Sequence, residues 1–189
     1  MTEPTSVPPP TPEPDPATVR PADPLPAPSR PPVATPERIR ALLDELGIAY
    51  RHVVHGPTRT SEESAAARGE PLEIGAKALL LKIDDAYRLF VLSAARKADS
   101  AAIKKHFRAR SLRFATPDEL LAQTGLVPGS VPPFGEPILP FELYVDSRVA
   151  GLDRVAFNAA SLTESLVLSC ADYLRAAQPT GVFTFGSEG

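Results

Sequence analysis

The chain has 189 residues, 20 of them Lys or Arg and 23 Asp or Glu, for a formal net charge of −3. This balance excludes a uniformly basic nucleic-acid-binding protein but not a local basic patch. The single cysteine, Cys170, excludes an internal disulfide and a cysteine-based metal cluster. No signal peptide is recognised, and no apolar run approaches the ~20 residues that cross a bilayer, so we expect a cytoplasmic protein without membrane contact.

The uneven distribution of proline divides the chain into a proline-rich N-terminal segment and the remainder. Of its 23 prolines, 14 lie in residues 1–36, in runs that exclude helices and central strands. We predict a disordered, partly polyproline tail over residues 1–35. Residues 36–177 are long enough to bury a hydrophobic core and are predicted to form one domain, followed by a loose C-terminal tail over residues 178–189.

The domain opens with a predicted helix, a strand and a second helix. Thr35 before Pro36 is typical of a helix start, and Gly47 ends the helical spacing. Residues 48–55 are extended in character. Thr60, with a glutamate three residues later, predicts a capping box before an alanine-rich helix.

The centre of the domain is predicted to be a β-hairpin of residues 76–83 and 87–93. Hairpins mixed with short helices, without regular strand–helix alternation, predict an α+β fold. We therefore expect a single domain with a mixed, largely antiparallel sheet flanked by short helices. The later elements are predicted to be a helix through 100–107, a strand at 111–115, a helix from Thr116 to Gly125, strands at 141–145, 154–158 and 162–168, and a helix from Ser169.

A lysine stands in the otherwise apolar first strand of this hairpin. Because successive strand side chains point to opposite faces, Lys77 shares a face with Leu79 and Leu81. If that face is directed to the core, the ammonium needs an anionic or carbonyl-bearing partner. The alternative is that Lys77 ends the strand and extends its amine to water.

Cations are concentrated between residues 96 and 113, where seven lysines and arginines accompany the single Asp99. Such a patch suits the phosphates of a nucleic acid, although an ordinary solvated helix face gives the same pattern. We define the basic surface as Arg96, Lys97, Lys104, Lys105 and Arg108.

Other chemistry-bearing residues are sparse. His52, His55 and His106 are too few and too irregularly spaced to predict a metal site. No P-loop, dinucleotide fingerprint or nucleophile elbow occurs, so we expect neither metal nor cofactor. Cys170 lies beside a predicted helix start, which favours a reactive thiol, but its apolar neighbours favour a small core residue.

Four segments carry a resemblance to a known family. They are Gly75-Ala76-Lys77-Ala78-Leu79-Leu80-Leu81, residues 125–135, Phe157-Asn158-Ala159-Ala160-Ser161 with the closing Ala171-Asp172-Tyr173, and the upstream His55-Gly56-Pro57 with residues 60–65. Over residues 36–177 the chain resembles the YbaK/ProX superfamily. These are free-standing aminoacyl-tRNA deacylases related to the editing domain inserted in bacterial prolyl-tRNA synthetase.

The resemblance implies hydrolysis of the ester that joins a wrong amino acid to the terminal ribose of tRNA. Lys77 matches the family lysine, and Gly129 lies in the matching glycine-rich loop, whose backbone N–H groups would face the ester carbonyl. The expected catalytic residues are therefore Lys77 and Gly129, and tRNA would bind the basic surface. The expected substrate-binding residues are His55, Thr60, Ser130, Asn158 and Ser161.

An aminoacyl ester is already activated, so orientation, charge stabilisation and a positioned water are sufficient chemistry. We expect Lys77 to hold the terminal phosphate or the ester oxygen, the Gly129 loop to stabilise the oxyanion, and a ribose hydroxyl to help activate water. The thiol-specific branch has Gly-Asp where this chain has Ala160-Ser161, and the alanine-specific branch has Phe-His-Pro where it has Phe157-Asn158-Ala159. Neither specificity therefore transfers.

The expected partner is aminoacyl-tRNA, with an aminoacyl-tRNA synthetase as a second candidate. Two alternative functions stay open. One is a non-catalytic tRNA- or protein-binding module that retains the fold, with the proline-rich tail recruiting a partner. The other is hydrolysis of a different activated acyl ester, which the same site features would serve.

Overall fold

Short helices and strands alternate through residues 34–188, the part of the chain that the computed structural model describes. No helix within this part is long and apolar enough to cross a membrane. Its helices are α1 (Pro36–Glu45), α2 (Ser61–Arg68), α3 (Ser100–Phe107), α4 (Pro117–Thr124), α5 (Ser147–Ala150) and α6 (Cys170–Ala177). Its strands are β1 (Tyr50–Val54), β2 (Ala76–Ile83), β3 (Ala86–Ser93), β4 (Arg96–Ala98), β5 (Leu112–Phe114), β6 (Leu143–Asp146), β7 (Arg154–Asn158), β8 (Glu164–Ser169), β9 (Gly181–Phe183) and β10 (Gly186–Glu188).

Three helices begin at the predicted threonine caps. The hydroxyls of Thr35, Thr60 and Thr116 each accept a hydrogen bond from a backbone N–H of the first turn of α1, α2 and α4. Such a cap is worth about 1 kcal/mol. In α2 and α4 a glutamate completes the capping box, and both helices end at a glycine with positive φ, Gly69 and Gly125. These predicted helix starts and ends are confirmed.

The predicted hairpin of β2 and β3 is the centre of a five-stranded sheet in the order β5-β2-β3-β6-β9. The β5, β2 and β3 pairings are antiparallel, whereas β3–β6 and β6–β9 are parallel. A second, antiparallel sheet has the order β1-β8-β7, and β4 pairs with β10. The α+β class with mixed, largely antiparallel pairing is confirmed, but the described strands are divided among three sheets.

The two larger sheets meet beside the start of β2. Gly75, which precedes β2, forms an isolated parallel bridge with Ala156 of β7. This bridge brings Lys77, near the start of β2, close to Asn158 at the end of β7. The junction of the two sheets is therefore the place where the family motifs of the sequence converge.

Apolar side chains cover both faces of the β2–β3 hairpin. One face packs against a large cluster whose biggest buried side chains are Phe134, Phe157 and Tyr173. The other packs against a smaller cluster around Phe90 and Phe185. Full burial of such a side chain stabilises the fold by about 1.5–3 kcal/mol. The hairpin is thus a firmly packed support for the residues at its start.

Residues 178–188 include two short strands, β9 and β10, which corrects the expectation of a loose C-terminal tail. β9 lies parallel to β6, and β10 lies antiparallel to β4. Between them Phe185 is only 1% exposed, and the Asp146 carboxylate accepts the backbone N–H groups of Phe185 and Gly186 at 2.7 and 2.6 Å. The three-residue strands β4, β9 and β10 carry too little periodicity to stand out in the sequence and were not predicted.

The predicted N-terminal tail lies outside the described residues, apart from its last two positions. There Ala34 is buried and Thr35 caps α1, so the folded part begins slightly before the predicted boundary at residue 36.

Candidate active site

A small cavity of about 100 Å³ lies at the junction of the two larger sheets, and we call it the Lys77 cavity. Its walls come from α2 and the residues before it, the start of β2, the loop at Gly129 and the end of β7. Among the residues that the structure describes, its lining includes three cations, Arg59, Arg68 and Lys77, and no carboxylate. Of the residues predicted to form the site, Lys77, Gly129, Thr60 and Asn158 line the cavity, whereas His55, Ser130 and Ser161 do not.

The amine of Lys77 is held by two backbone carbonyls. Its Nζ donates hydrogen bonds to the carbonyl oxygens of Ala94, at 3.3 Å, and of Arg96. Burial lowers the pKa of the Lys77 ammonium, the charge of Glu62 opposes this effect, and the charge of Lys97 adds to it. The Lys77 amine is therefore held by the main chain and does not extend freely into water. An ammonium has three donors, so one remains for a ligand.

A glycine is required at position 75 because the side chain of Ala94 approaches the backbone there closely. The sequence did not reveal this approach. A Cβ at this position would lie 2.7 Å from the Cβ of Ala94 and 3.1 Å from the carbonyl oxygen of Leu72. The amide of Ala94 also donates a hydrogen bond to the Gly75 carbonyl at 2.6 Å. Because Ala94 supplies one of the two carbonyls that hold Lys77, Gly75 sets the position of the amine indirectly.

The loop at Gly129 forms another part of the cavity wall. Gly129 has φ +88°, and a Cβ there would lie 3.3 Å from the carbonyl oxygen of Arg59. Ser130, predicted to bind substrate, is buried and instead closes the loop. Its amide and hydroxyl both donate to the carbonyl oxygen of Val127, at 3.1 and 2.9 Å. The Ser130 amide is therefore already occupied.

Asn158 connects the Gly129 loop to a chain of buried polar groups. Its Nδ2 donates to the Gly129 carbonyl at 2.9 Å, and its Oδ1 accepts the Ser165 hydroxyl at 3.0 Å. The Oγ of Ser165, which is fully buried, lies 2.8 Å from Nε2 of His55. His55 thus reaches the cavity only through Ser165 and Asn158. Ser165 was missed by the sequence analysis, since a serine within a strand carries no distinctive signal.

The two other predicted polar residues have structural contacts. Thr60 lines the cavity rim, and its hydroxyl caps α2. The Oγ of Ser161 accepts the amide of Thr163 at 3.0 Å and lies at 3.0 Å from the Thr163 hydroxyl. Ser161 therefore shapes the turn between β7 and β8, and the structure does not bring it to the cavity.

The basic surface adjoins the Lys77 cavity through β4. Lys97, Lys105 and Arg108 are exposed, and Lys97 is close enough for its charge to lower the pKa of Lys77. Arg96 is half-buried and lines a different cavity, together with Glu73 and Arg148. Of these exposed cations Lys97 is therefore the one placed beside Lys77, whereas the Arg96 side chain is directed to the other cavity.

Cys170 belongs to the core. Its side chain is buried, its thiol donates to the carbonyl oxygen of Val149 at 3.1 Å, and burial raises the pKa of the thiol. A raised pKa disfavours the reactive thiolate. Of the two interpretations of this cysteine, the structure favours the core residue.

Comparisons with known proteins agree with this fold. The crystal structure of a candidate trans-editing enzyme for prolyl-tRNA synthetase superposes with a TM-score of 0.69 at 24% identity, over 82% of this chain and 97% of that one. The Ser/Thr-tRNA deacylase ProXp-y of Escherichia coli K12 is 36% identical over 151 residues, 77% of this chain and 89% of that protein. The proline–tRNA ligase of Shouchella clausii is 32% identical over 101 residues, 53% of this chain and 18% of the ligase.

The architecture is thus the α+β fold of tRNA-editing domains. The model of one family, the aminoacyl-tRNA editing domain, matches residues 55–176. The chain belongs to this family. The resemblance noted in the sequence is confirmed, together with the enzyme class that it implied, an aminoacyl-tRNA deacylase.

Proposed function

We propose that this protein hydrolyses the ester of mischarged aminoacyl-tRNA by water attack, with Lys77 and the Gly129 loop positioning the substrate. The main observation in support of this mechanism is that the half-buried Lys77 ammonium and the Gly129 loop line the same small cavity. Within the described range 34–188, no cysteine, histidine or carboxylate lines this cavity. Orientation and charge stabilisation of an activated ester fit such a site better than covalent catalysis.

Lys77 is the electrostatic group of this mechanism. Two of its donors are engaged by Ala94 and Arg96, so the third is available to the ester oxygen or to the terminal phosphate. Because the amine is already fixed, little reorganisation is needed as negative charge develops on the ester oxygen.

The Gly129 loop provides the second contact. With the Ser130 amide engaged by Val127, the Gly129 amide is the candidate donor to the oxyanion. The bond from Asn158 to the Gly129 carbonyl fixes this peptide segment. A ribose hydroxyl of the substrate completes the site by helping to activate water.

The size and polarity of the Lys77 cavity indicate the substrate class. A cavity of about 100 Å³ lined by hydroxyls, an amide and cations suits a small polar acyl group. The relative ProXp-y is a Ser/Thr-tRNA deacylase at 36% identity. We infer that seryl- and threonyl-tRNA are the preferred substrates, and that exposed cations of the basic surface hold the acceptor end of the tRNA.

Deacylation of a panel of mischarged tRNAs tests this proposal. We expect release of serine and threonine by the wild type and a loss of about 100- to 1000-fold in the Lys77→Ala variant, the usual effect of removing an oxyanion donor. Lys82→Ala is the matched control, since Lys82 lies on the same strand with its amine over the Tyr87 ring. Equal rates for wild type and Lys77→Ala would remove Lys77 from the mechanism. Salt-sensitive tRNA binding without deacylation of any substrate would favour the binding module.

A further inference from the structure

A second buried cation lines the Lys77 cavity and has no role in the mechanism above. Arg68 lies in the last turn of α2 and is 6% exposed. Its Nε donates to the carbonyl oxygen of Ser64 at 2.8 Å. Within residues 34–188, Nε is the only atom of the Arg68 guanidinium for which a hydrogen bond is found. Nη1 and Nη2 are not among the fully buried polar atoms without a partner, so they keep some contact with the open space of the cavity.

The charge of Arg68 is not neutralised by a direct ion pair in the described part of the chain. Glu70 is the carboxylate whose charge acts on it. Both oxygens of Glu70 are already engaged, by Arg51 at 2.5 Å and by Arg154 at 2.8 Å. Burial lowers the pKa of Arg68 to about 10, which still leaves the guanidinium protonated near neutral pH.

The Nη end of this side chain faces the Lys77 cavity. Nη2 lies 4.0 Å from the position that a Cβ on Gly75 would occupy, so the guanidinium reaches the start of β2. Arg68 lines the cavity together with Lys77, Ser64 and Asn158. A largely buried guanidinium whose Nη donors face a cavity is stabilised when a ligand in that cavity supplies an acceptor.

We propose that the free Nη groups of Arg68 donate hydrogen bonds to the side-chain oxygen of the acyl group, so that Arg68 selects hydroxyl-bearing esters over their apolar isosteres. This inference rests on the proposed function. A guanidinium donates and never accepts, and it repels the α-ammonium of the substrate, so the fitting atom is an oxygen. An apolar acyl group in the same place would displace water from the guanidinium without supplying an acceptor. A site with such an unpaired donor rejects a substrate that lacks the hydroxyl.

The test uses isosteric acyl pairs on one tRNA, threonyl against valyl and seryl against alanyl, with the full chain. Wild type should hydrolyse the hydroxyl-bearing member of each pair faster. Arg68→Met should lose about 10- to 100-fold on threonyl and seryl esters, the range of a hydrogen bond to a charged group, with little change on valyl and alanyl esters. Arg175→Met, which removes an exposed arginine paired with Asp172, is the matched control.

A uniform loss on all four esters would overturn the proposal, because it would place Arg68 on a ribose or phosphate oxygen that every substrate shares. Arg68→Gln retains a donor in the cavity, so a folded Gln variant should keep part of the preference and serves if the Met variant does not fold. Failure of the wild type to hydrolyse any ester would count against the proposed function. An active wild type that does not discriminate within the pairs would count against the role of Arg68 alone.

Discussion

The side-chain amide of Asn158 donates a hydrogen bond to the carbonyl oxygen of Gly129 at 2.9 Å, which joins the end of β7 to the Gly129 loop. An aspartate at position 158 would place an acceptor against an acceptor. We expect Asn158→Asp to destabilise the fold by about 1–3 kcal/mol and to lower kcat/KM more than Asn158→Ala does. Thermal unfolding and single-turnover deacylation measure both effects. Activity of the Asp variant equal to that of the Ala variant would mean that this bond does not position the loop.

Gly75→Ala should impair the site through the turn that contains Ala94. The added Cβ would lie 2.7 Å from the Cβ of Ala94, so the turn that supplies a carbonyl to Lys77 must shift. We expect a fall in kcat/KM of at least about tenfold, since small displacements at a catalytic group are costly. Gly151→Ala is the control, because its Cβ would meet only the carbonyl oxygens of Ser147 and Arg148, at ordinary contact distances of 3.6 and 3.8 Å. Retained activity in Gly75→Ala would show that the turn can move freely.

The pH profile should report the Lys77 ammonium. Its pKa is lowered, first of all by burial. In the proposed mechanism the protonated amine is the active form, so kcat/KM should fall as pH rises through this lowered pKa, at a lower pH than for an ordinary lysine. Rates corrected for spontaneous ester hydrolysis give the profile. In a Lys77→Arg variant the basic limb should vanish, because a guanidinium keeps its proton there.

Two neighbouring charges should move this basic limb in opposite directions. Glu62 raises the pKa of Lys77 and Lys97 lowers it. Glu62→Gln should therefore shift the limb to lower pH, and Lys97→Ala should shift it to higher pH. Displacement of the limb in the same direction by both substitutions would assign it to another group.

Phe185→Ala tests whether the end of the chain is part of the fold. Phe185 is 1% exposed and contacts the ring of Phe90, with centroids 5.4 Å apart in an edge-to-face arrangement. Removal of a buried phenylalanine costs about 3–5 kcal/mol, which should appear as a lower midpoint in urea unfolding. Val182→Ala, at a side chain that is 48% exposed, should change the midpoint little. A loose tail would give no difference between the two variants.

The basic surface should contribute to tRNA affinity rather than to chemistry. We expect the double variant Lys97→Ala/Lys105→Ala to bind tRNA more weakly. The slope of its salt dependence should fall by about 0.7–0.9 for each phosphate that the variant no longer neutralises. At a fixed pH below the basic limb, hydrolysis of a small aminoacyl-adenosine ester should be nearly unchanged. An equal fall in rate on the small ester would place these lysines in the catalytic step instead.

Local patterns predicted much of the fold. The threonine caps, the glycine ends of α2 and α4 and the β2–β3 hairpin depend on residues close together in the sequence. The site was only partly predictable because its contacts cross between sheets. His55 and Ser165 are 110 residues apart. The approach of Gly75 to Ala94 and the position of the Arg68 guanidinium depend on how a turn and a helix pack, which no sequence periodicity records.

The carbonyls that hold Lys77 belong to the main chain at Ala94 and Arg96. Every residue type carries such a carbonyl, so substitutions at these two positions can accumulate during evolution while the anchor persists. A search for distant relatives that compares only side chains around the lysine would overlook this anchor. A comparison of the path of the backbone between β3 and β4 would find it.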